Sequence, residues 1–203
     1  VVVHDEILKD NLMASNIDHA GEPEERIEDA PNVLRDRFIV NRVAPLSMET
    51  RGIVVNWRSG ARELDVRCST QVPHLVRKQL AESLRLDESC IRVVASDVGG
   101  AYGMKLGAFP EDVLACLHAM RLSRPIKWIE DRMEYFRAST HGRESVHDMC
   151  IAVDENGIIQ AIVNDYVTDI GAWNSPFGSA QLSSVVFTGP YKVRDAQVRR
   201  SVA

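Results

Sequence analysis

Paired cysteines, clustered histidines, long apolar runs and a basic excess are all missing from these 203 residues, and each absence narrows the function. The four cysteines, Cys68, Cys90, Cys116 and Cys150, lie far apart with no CxxC pair. That excludes a disulfide framework and offers no zinc or iron–sulfur signature. They read as free, mostly buried thiols in a reducing compartment, the cytoplasm. The six histidines are equally scattered, with no HxxxH pair to grip a metal from one helix face. No apolar run approaches the roughly 18 residues of a membrane span. A formal charge of −5 leaves no cationic excess to neutralise phosphates, which argues against a nucleic-acid surface. The opening VVVHDEILKD has neither the basic region nor the apolar stretch of a secretory signal. It also lacks an initiator Met, so the expectation is a chain that starts within a longer protein; a processed chain would look the same.

What remains is a folded-protein composition, 45% apolar and 26% charged. Residues 1–31 are polar and acidic around Gly21, Pro23 and Pro31, and read as a linker or extended arm. A domain is expected over 32–203. Strands are predicted over Val33–Pro45, as the hairpin pair Gly52–Trp57 and Glu63–Thr70, and over Ile91–Ser96 and Pro125–Ile129. Two more, Val146–Val153 and Ile158–Thr168, are joined by Asp-Glu-Asn-Gly, a tight-turn signal. Helices are predicted from Pro73, with Leu75, Val76, Leu80 and Leu84 on one face, and over Glu111–Ser123 behind Pro110. Residues 132–142 read as a loop. The sum is an α+β fold, a mixed sheet with packed helices.

The candidate chemistry starts at Gly99-Gly100-Ala101-Tyr102-Gly103-Met104-Lys105, directly after a predicted strand. Small residues there let backbone approach a ligand closely and leave N–H groups free to face an anion. The loop is neither GxGxxG nor followed by GK[ST], so as a nucleotide site it is weak, and turn glycines without a ligand are the plainer reading.

The wider series is more specific. In order, the chain carries RVAPLSMETRG (Arg42–Gly52), STQVPHLVR (Ser69–Arg77), VASDVGGAYGMK (Val94–Lys105), RPIKWIEDRMEYF (Arg124–Phe136), DIGAWNSPFG (Asp169–Gly178) and TGPYKV (Thr188–Val193). This series resembles the molybdopterin-binding large subunit of the molybdenum hydroxylases: xanthine dehydrogenases, aldehyde oxidases and aerobic carbon monoxide dehydrogenases. The resemblance runs from about Asn32 to the end of the chain.

The resemblance implies the first part of that subunit's molybdopterin-binding domain. Gln71 would be the glutamine beside molybdenum that hydrogen-bonds an oxo ligand, its amide donating without itself ionising. Gly99, Gly100, Ala101, Tyr102 and Gly103 would be the loop whose backbone contacts the molybdenum–pterin group, through the backbone rather than the ring at Tyr102. Ala101 replaces the family's usual third glycine and Tyr102 its usual phenylalanine. If the backbone at Ala101 needs positive φ, an alanine costs about 1 kcal/mol or more there. Leu106 would line the substrate pocket where purine-oxidising members place a glutamate; a leucine cannot hydrogen-bond a heterocycle, which disfavours purines.

The catalytic base, a glutamate, is expected in a C-terminal part absent from these residues, so no catalytic residue is assigned here and the chain alone is expected to be inactive. The implied cofactor is a molybdopterin-type molybdenum cofactor, in the cytosine dinucleotide form if the source is bacterial. The implied partners are the rest of the molybdenum subunit and iron–sulfur and flavin subunits carrying [2Fe-2S] and FAD. The substrate would be a small aldehyde, an N-heterocycle or carbon monoxide, hydroxylated with water.

Blander readings cover the other polar residues. Glu49 is expected to bond backbone inside the fold, and Lys105 to make a structural contact. The run Glu130, Asp131, Arg132 and Glu134 is expected to be a solvated, salt-bridged loop end, and Trp128 and Trp173 to be packing residues. Two rival functions stay open. One is a non-catalytic binding or assembly module of the same fold that has lost the cofactor, supported by Ala101. The other is a nucleotide-binding α/β protein, which leaves the other five motifs unexplained.

Overall fold

The structure, a computed structural model, describes residues 2–3, 5–171 and 184–203. In chain order its elements are β1 (Ala14–Ala20), α1 (Pro23–Asp29), β2 (Asn32–Val40), β3 (Gly52–Arg58), β4 (Glu63–Cys68), α2 (Pro73–Leu84) and β5 (Ile91–Val94). They continue with α3 (Pro110–Leu122), β6 (Ile126–Ile129), α4 (Arg132–Ala138), β7 (Ser145–Val153), β8 (Ile159–Thr168) and β9 (Asp195–Val202). Mixed sheets with packed helices match the expected α+β class. The chain divides into two compact units, Val1–Val43 with His141–Ala203, and Ala44–Thr140.

The first unit is a five-stranded sheet in the order β1-β9-β8-β7-β2. Only the β8–β9 pair is parallel. The β7–β8 hairpin turns where expected. Asp154 Oδ1 accepts the N–H groups of Asn156 and Ile158 at 2.8 and 2.9 Å, and Gly157 takes φ +80°. The boundary expected at residues 31 and 32 falls inside this unit. Ala14–Ala20 pairs residue for residue with Ala196–Val202, and Pro23–Asp29 is helical. All seven β1 residues are exposed, so backbone hydrogen bonds to a strand far away in sequence hold it rather than buried side chains. Composition carries no signal of that pairing. Of DIGAWNSPFG, only Asp169–Gly171 lie within the described residues; the remainder, Trp173 included, lies outside them.

The second unit is a four-stranded sheet ordered β5-β4-β3-β6. β3 and β4 form the expected hairpin, β5 runs parallel to β4, and β6 is antiparallel to β3. Alternation sends Ile53 and Val55 of β3 and Leu64 and Val66 of β4 to one face. There they pack against Val76 and Leu80 of α2 and Ala115, Cys116 and Ala119 of α3. Fully burying a Leu or Ile side chain contributes roughly 1.5–3 kcal/mol, so this face anchors the unit. Proline opens both helices, and each stops at a left-handed residue, Arg85 for α2 and Ser123 for α3.

Two expectations in this unit are corrected. Residues 132–138 are not loop but α4, nucleated by a capping box. Asp131 Oδ1 accepts the Glu134 N–H and Glu134 Oε2 accepts the Asp131 N–H, each at 2.8 Å. The acidic run is solvated only in part: Asp131 and Glu134 are exposed, as expected, but Glu130 is not. Glu130 is 2% exposed and Arg51 3%, and Arg51 Nε and Nη2 donate to Glu130 Oε1 at 3.0 and 2.6 Å. Pairing of Gly52 with Ile129 brings the two together, and the guanidinium lies 3.9 Å from the Phe109 ring centre. Burial of such a pair is tolerated because the carboxylate also accepts the Arg51 backbone N–H at 3.0 Å. Trp128 packs against the core, as expected.

Candidate functional site

All the site residues read from the sequence lie in the second unit. Gln71 sits between the end of β4 and the start of α2, and the glycine loop follows β5. Because β4 and β5 are parallel neighbours, both segments leave the sheet at the same edge. They are then tied directly. Gln71 Oε1 accepts the backbone N–H groups of Gly103 at 3.1 Å and Lys105 at 3.4 Å, while the Gln71 N–H donates to the Lys105 carbonyl at 3.2 Å. Two donors on the carbonyl oxygen fix which way the amide points. The Gln71 side-chain NH₂ is left without a partner among the described residues, on an exposed residue.

The loop has the bent backbone its glycines promise. Positive φ falls at Gly100 (+96°), Tyr102 (+51°) and Gly103 (+90°), not at Ala101. The strain therefore sits on Tyr102, a left-handed non-glycine costing about 1–2 kcal/mol, with its side chain 73% exposed. Gly99 is required by space: a Cβ there would come 2.6 Å from Glu49 Cβ. The N–H groups of Gly100, Ala101 and Tyr102 have no acceptor among the described residues, whereas Met104 N–H closes a turn onto the Ala101 carbonyl at 2.9 Å. Successive unpaired N–H groups in a bend of this kind form an anion-accepting concavity. Leu106 is half-buried, its Cδ1 3.9 Å from where a Gly103 Cβ would stand.

Behind the loop lies a polar knot that sequence reasoning foresaw only in outline. Glu49 Oε2 accepts from the Gly99 N–H at 2.9 Å, Ser69 Oγ at 2.6 Å and Lys105 Nζ at 2.8 Å. Lys105 is 1% exposed and also donates to Ser69 Oγ at 2.6 Å. Burial alone would push the Glu49 carboxyl up. The hydrogen bonds from Lys105, Ser69 and Gly99, with the ammonium charge, outweigh it and hold the group below the ordinary glutamate value. Ser69 was not singled out from the sequence, although a hydroxyl two residues before Gln71 was the available signal. A hollow of about 350 Å³ opens beside Glu49, bounded by Arg67, Lys127 and Trp128, but neither Gln71 nor residues 99–103 line it.

The cysteines are free, and two carry distinct electrostatics. Burial, then the nearby Asp112 charge, pushes the Cys68 and Cys116 thiols up to about 12, which keeps them protonated and inert at neutral pH. Among the described residues no group of three or more His, Cys, Asp or Glu side chains could hold a metal ion. Among the same residues no helix is long and apolar enough to cross a membrane.

Residues 3–203 match the family described as the molybdopterin cofactor-binding domain. The chain belongs to that family. Among similar proteins is the gamma subunit of the 6-hydroxypseudooxynicotine dehydrogenase complex of Paenarthrobacter nicotinovorans, 34% identical over 85% of this chain and 22% of that protein. The nicotine 6-hydroxylase large subunit of the same organism is 34% identical over 77% of this chain and 19% of that protein. The crystal structure of quinoline 2-oxidoreductase from Pseudomonas putida 86 superposes with a TM-score of 0.87 at 32% identity, covering 97% of this chain and 26% of that one. The chain thus spans about a fifth of the length of the curated relatives it matches.

Proposed function

We propose that this chain forms part of the molybdenum-cofactor-binding subunit of a hydroxylase that oxidises a substrate carbon with oxygen from water. The observation that carries the reading is the joining of Gln71 to the glycine loop: its carbonyl grips the loop, and its NH₂ and the N–H groups of Gly100–Tyr102 have no partner among the described residues. An anionic, oxo-bearing group fits such a donor set, because every unpaired group named is a neutral N–H that gains from a negative acceptor.

In this reading the Gln71 side-chain NH₂ and the loop backbone, Tyr102 included, would hold the molybdenum–pterin group. When bound, that group supplies two-electron oxidation of the substrate. The protein's part here is orientation: neutral donors hold the anion's position without adding a titrating charge near neutral pH. Leu106 offers an apolar wall rather than a hydrogen bond, which disfavours purines and leaves aldehydes, N-heterocycles and carbon monoxide. The nicotine and quinoline named in similar proteins put pyridine- and quinoline-type heterocycles first for testing.

The general base, the remaining cofactor contacts, and the partner subunits with [2Fe-2S] clusters and FAD belong to the assembled enzyme. The chain by itself would not turn over substrate. Ala101 lends no support to a cofactor-free module, because the positive φ angles fall at its neighbours.

Turnover of the native complex in isotopically labelled water tests the reaction class. Product carrying the label, formed with an artificial electron acceptor and without dioxygen, is the expected result. Unlabelled product, or turnover that occurs only when dioxygen is supplied, would overturn it.

A further inference from the structure

The glycine loop is held at both ends by one carboxylate. At its start, Glu49 takes the Gly99 N–H on Oε2 at 2.9 Å and returns its own N–H to the Gly99 carbonyl at 3.0 Å. At its end, the buried Lys105 ammonium reaches the same Oε2 at 2.8 Å. The strand end leading to Gln71 enters through Ser69, whose hydroxyl donates to Glu49 at 2.6 Å and lies 2.6 Å from Lys105 Nζ. Thr70 Oγ1 adds a bond to the Lys105 carbonyl at 3.0 Å. Three chain segments distant in sequence therefore meet at one ion pair.

We propose that Glu49 and Lys105 are positioning residues for cofactor binding: their ion pair, bridged by Ser69, fixes the loop N–H groups and the Gln71 amide in one register so that a single anionic group meets both. The inference rests on the molybdenum-cofactor reading above. Two features favour positioning over bulk stability. The pair lies at the sheet edge with Glu49 half open to solvent, rather than in the core between the sheet and its helices. Its bonds also go to Gly99 and Ser69, one and two residues from the groups that would touch the ligand, where small displacements matter most.

The test uses the full-length subunit in its complex, with variants Glu49→Gln, Lys105→Met and the double variant. Either single change leaves one charged or polar group without its partner, so both are expected to lower thermal stability as well as cofactor retention. In the double variant an uncharged amide faces an apolar chain, and the midpoint of unfolding should return near that of the wild type. Cofactor release, followed as molybdenum and pterin lost during dilution, should stay about 10- to 100-fold faster than wild type, the size typical of disturbing groups behind a metal site. Cofactor release at the wild-type rate from a stable double variant would overturn the inference and leave the functional reading standing. If the double variant fails to fold, Glu49→Asp keeps the charge and shortens its reach; wild-type retention there would equally overturn it. A wild-type complex without molybdenum would instead remove the functional reading itself, and this inference with it.

Discussion

Ala101 and Tyr102 exchange the roles their residue types imply. A glycine-rich loop with an alanine at its centre reads as compromised there, yet the left-handed angles belong to Gly100, Tyr102 and Gly103. Ala101→Gly is therefore expected to destabilise the fold by about 0.4–1 kcal/mol, through added freedom in the unfolded chain, with no gain in cofactor content. Denaturant titration of both proteins checks it, and a stabilised variant would contradict the backbone assignment. Glu49 makes a second prediction, through pH. Its folded value is depressed, so its bonds contribute stability that is present above the ordinary glutamate value of 4.5 and lost as pH falls through the lower folded value. The thermal midpoint of the wild type should fall in that acidic window, and Glu49→Gln should lose that part of the pH dependence. Gln71 and the loop were read as one site from the ordered series of motifs around them, and the structure joins the two by hydrogen bonds. Which loop residue bears the strain was not legible, because φ depends on how the chain crosses Ser47 and Glu49 in space.

Among the elements, α4 changes the picture most. Its capping box was written as Asp-Arg-Met-Glu, but the charged run drew the reading toward a solvated loop end. Once formed, the helix buries Tyr135 completely, and its phenol donates to the Pro45 carbonyl while accepting from the Ser47 N–H at 3.2 Å. Arg132 Nη2 holds the Met48 carbonyl at 2.8 Å. The helix thus braces the stretch that delivers Glu49 to the loop. Tyr135→Phe, which removes the hydroxyl and keeps the ring, should cost about 1–3 kcal/mol by stranding those buried partners. Urea denaturation measures it, and an unchanged midpoint would mean the brace is slack. The β3–β4 and β7–β8 hairpins and helices α2 and α3 were readable because their signals are local: turn residues, alternation, proline at a helix start. β1 was not, since what defines it is a partner nearly the whole chain away.

At the scale of the molecule, the division after Val43 and after Thr140 was invisible to composition, which marked only the acidic start of the chain. Family membership was visible because it rests on several motifs in fixed order rather than on any one loop, and the match over residues 3–203 extends it into the segment read as an arm. The most direct measurement is the molybdenum and pterin content of the native complex containing this chain, purified without denaturant. About one molybdenum per copy of the chain, with a pterin released by acid, is the predicted result. A well-folded complex containing neither would contradict the cofactor reading while leaving the family fold in place.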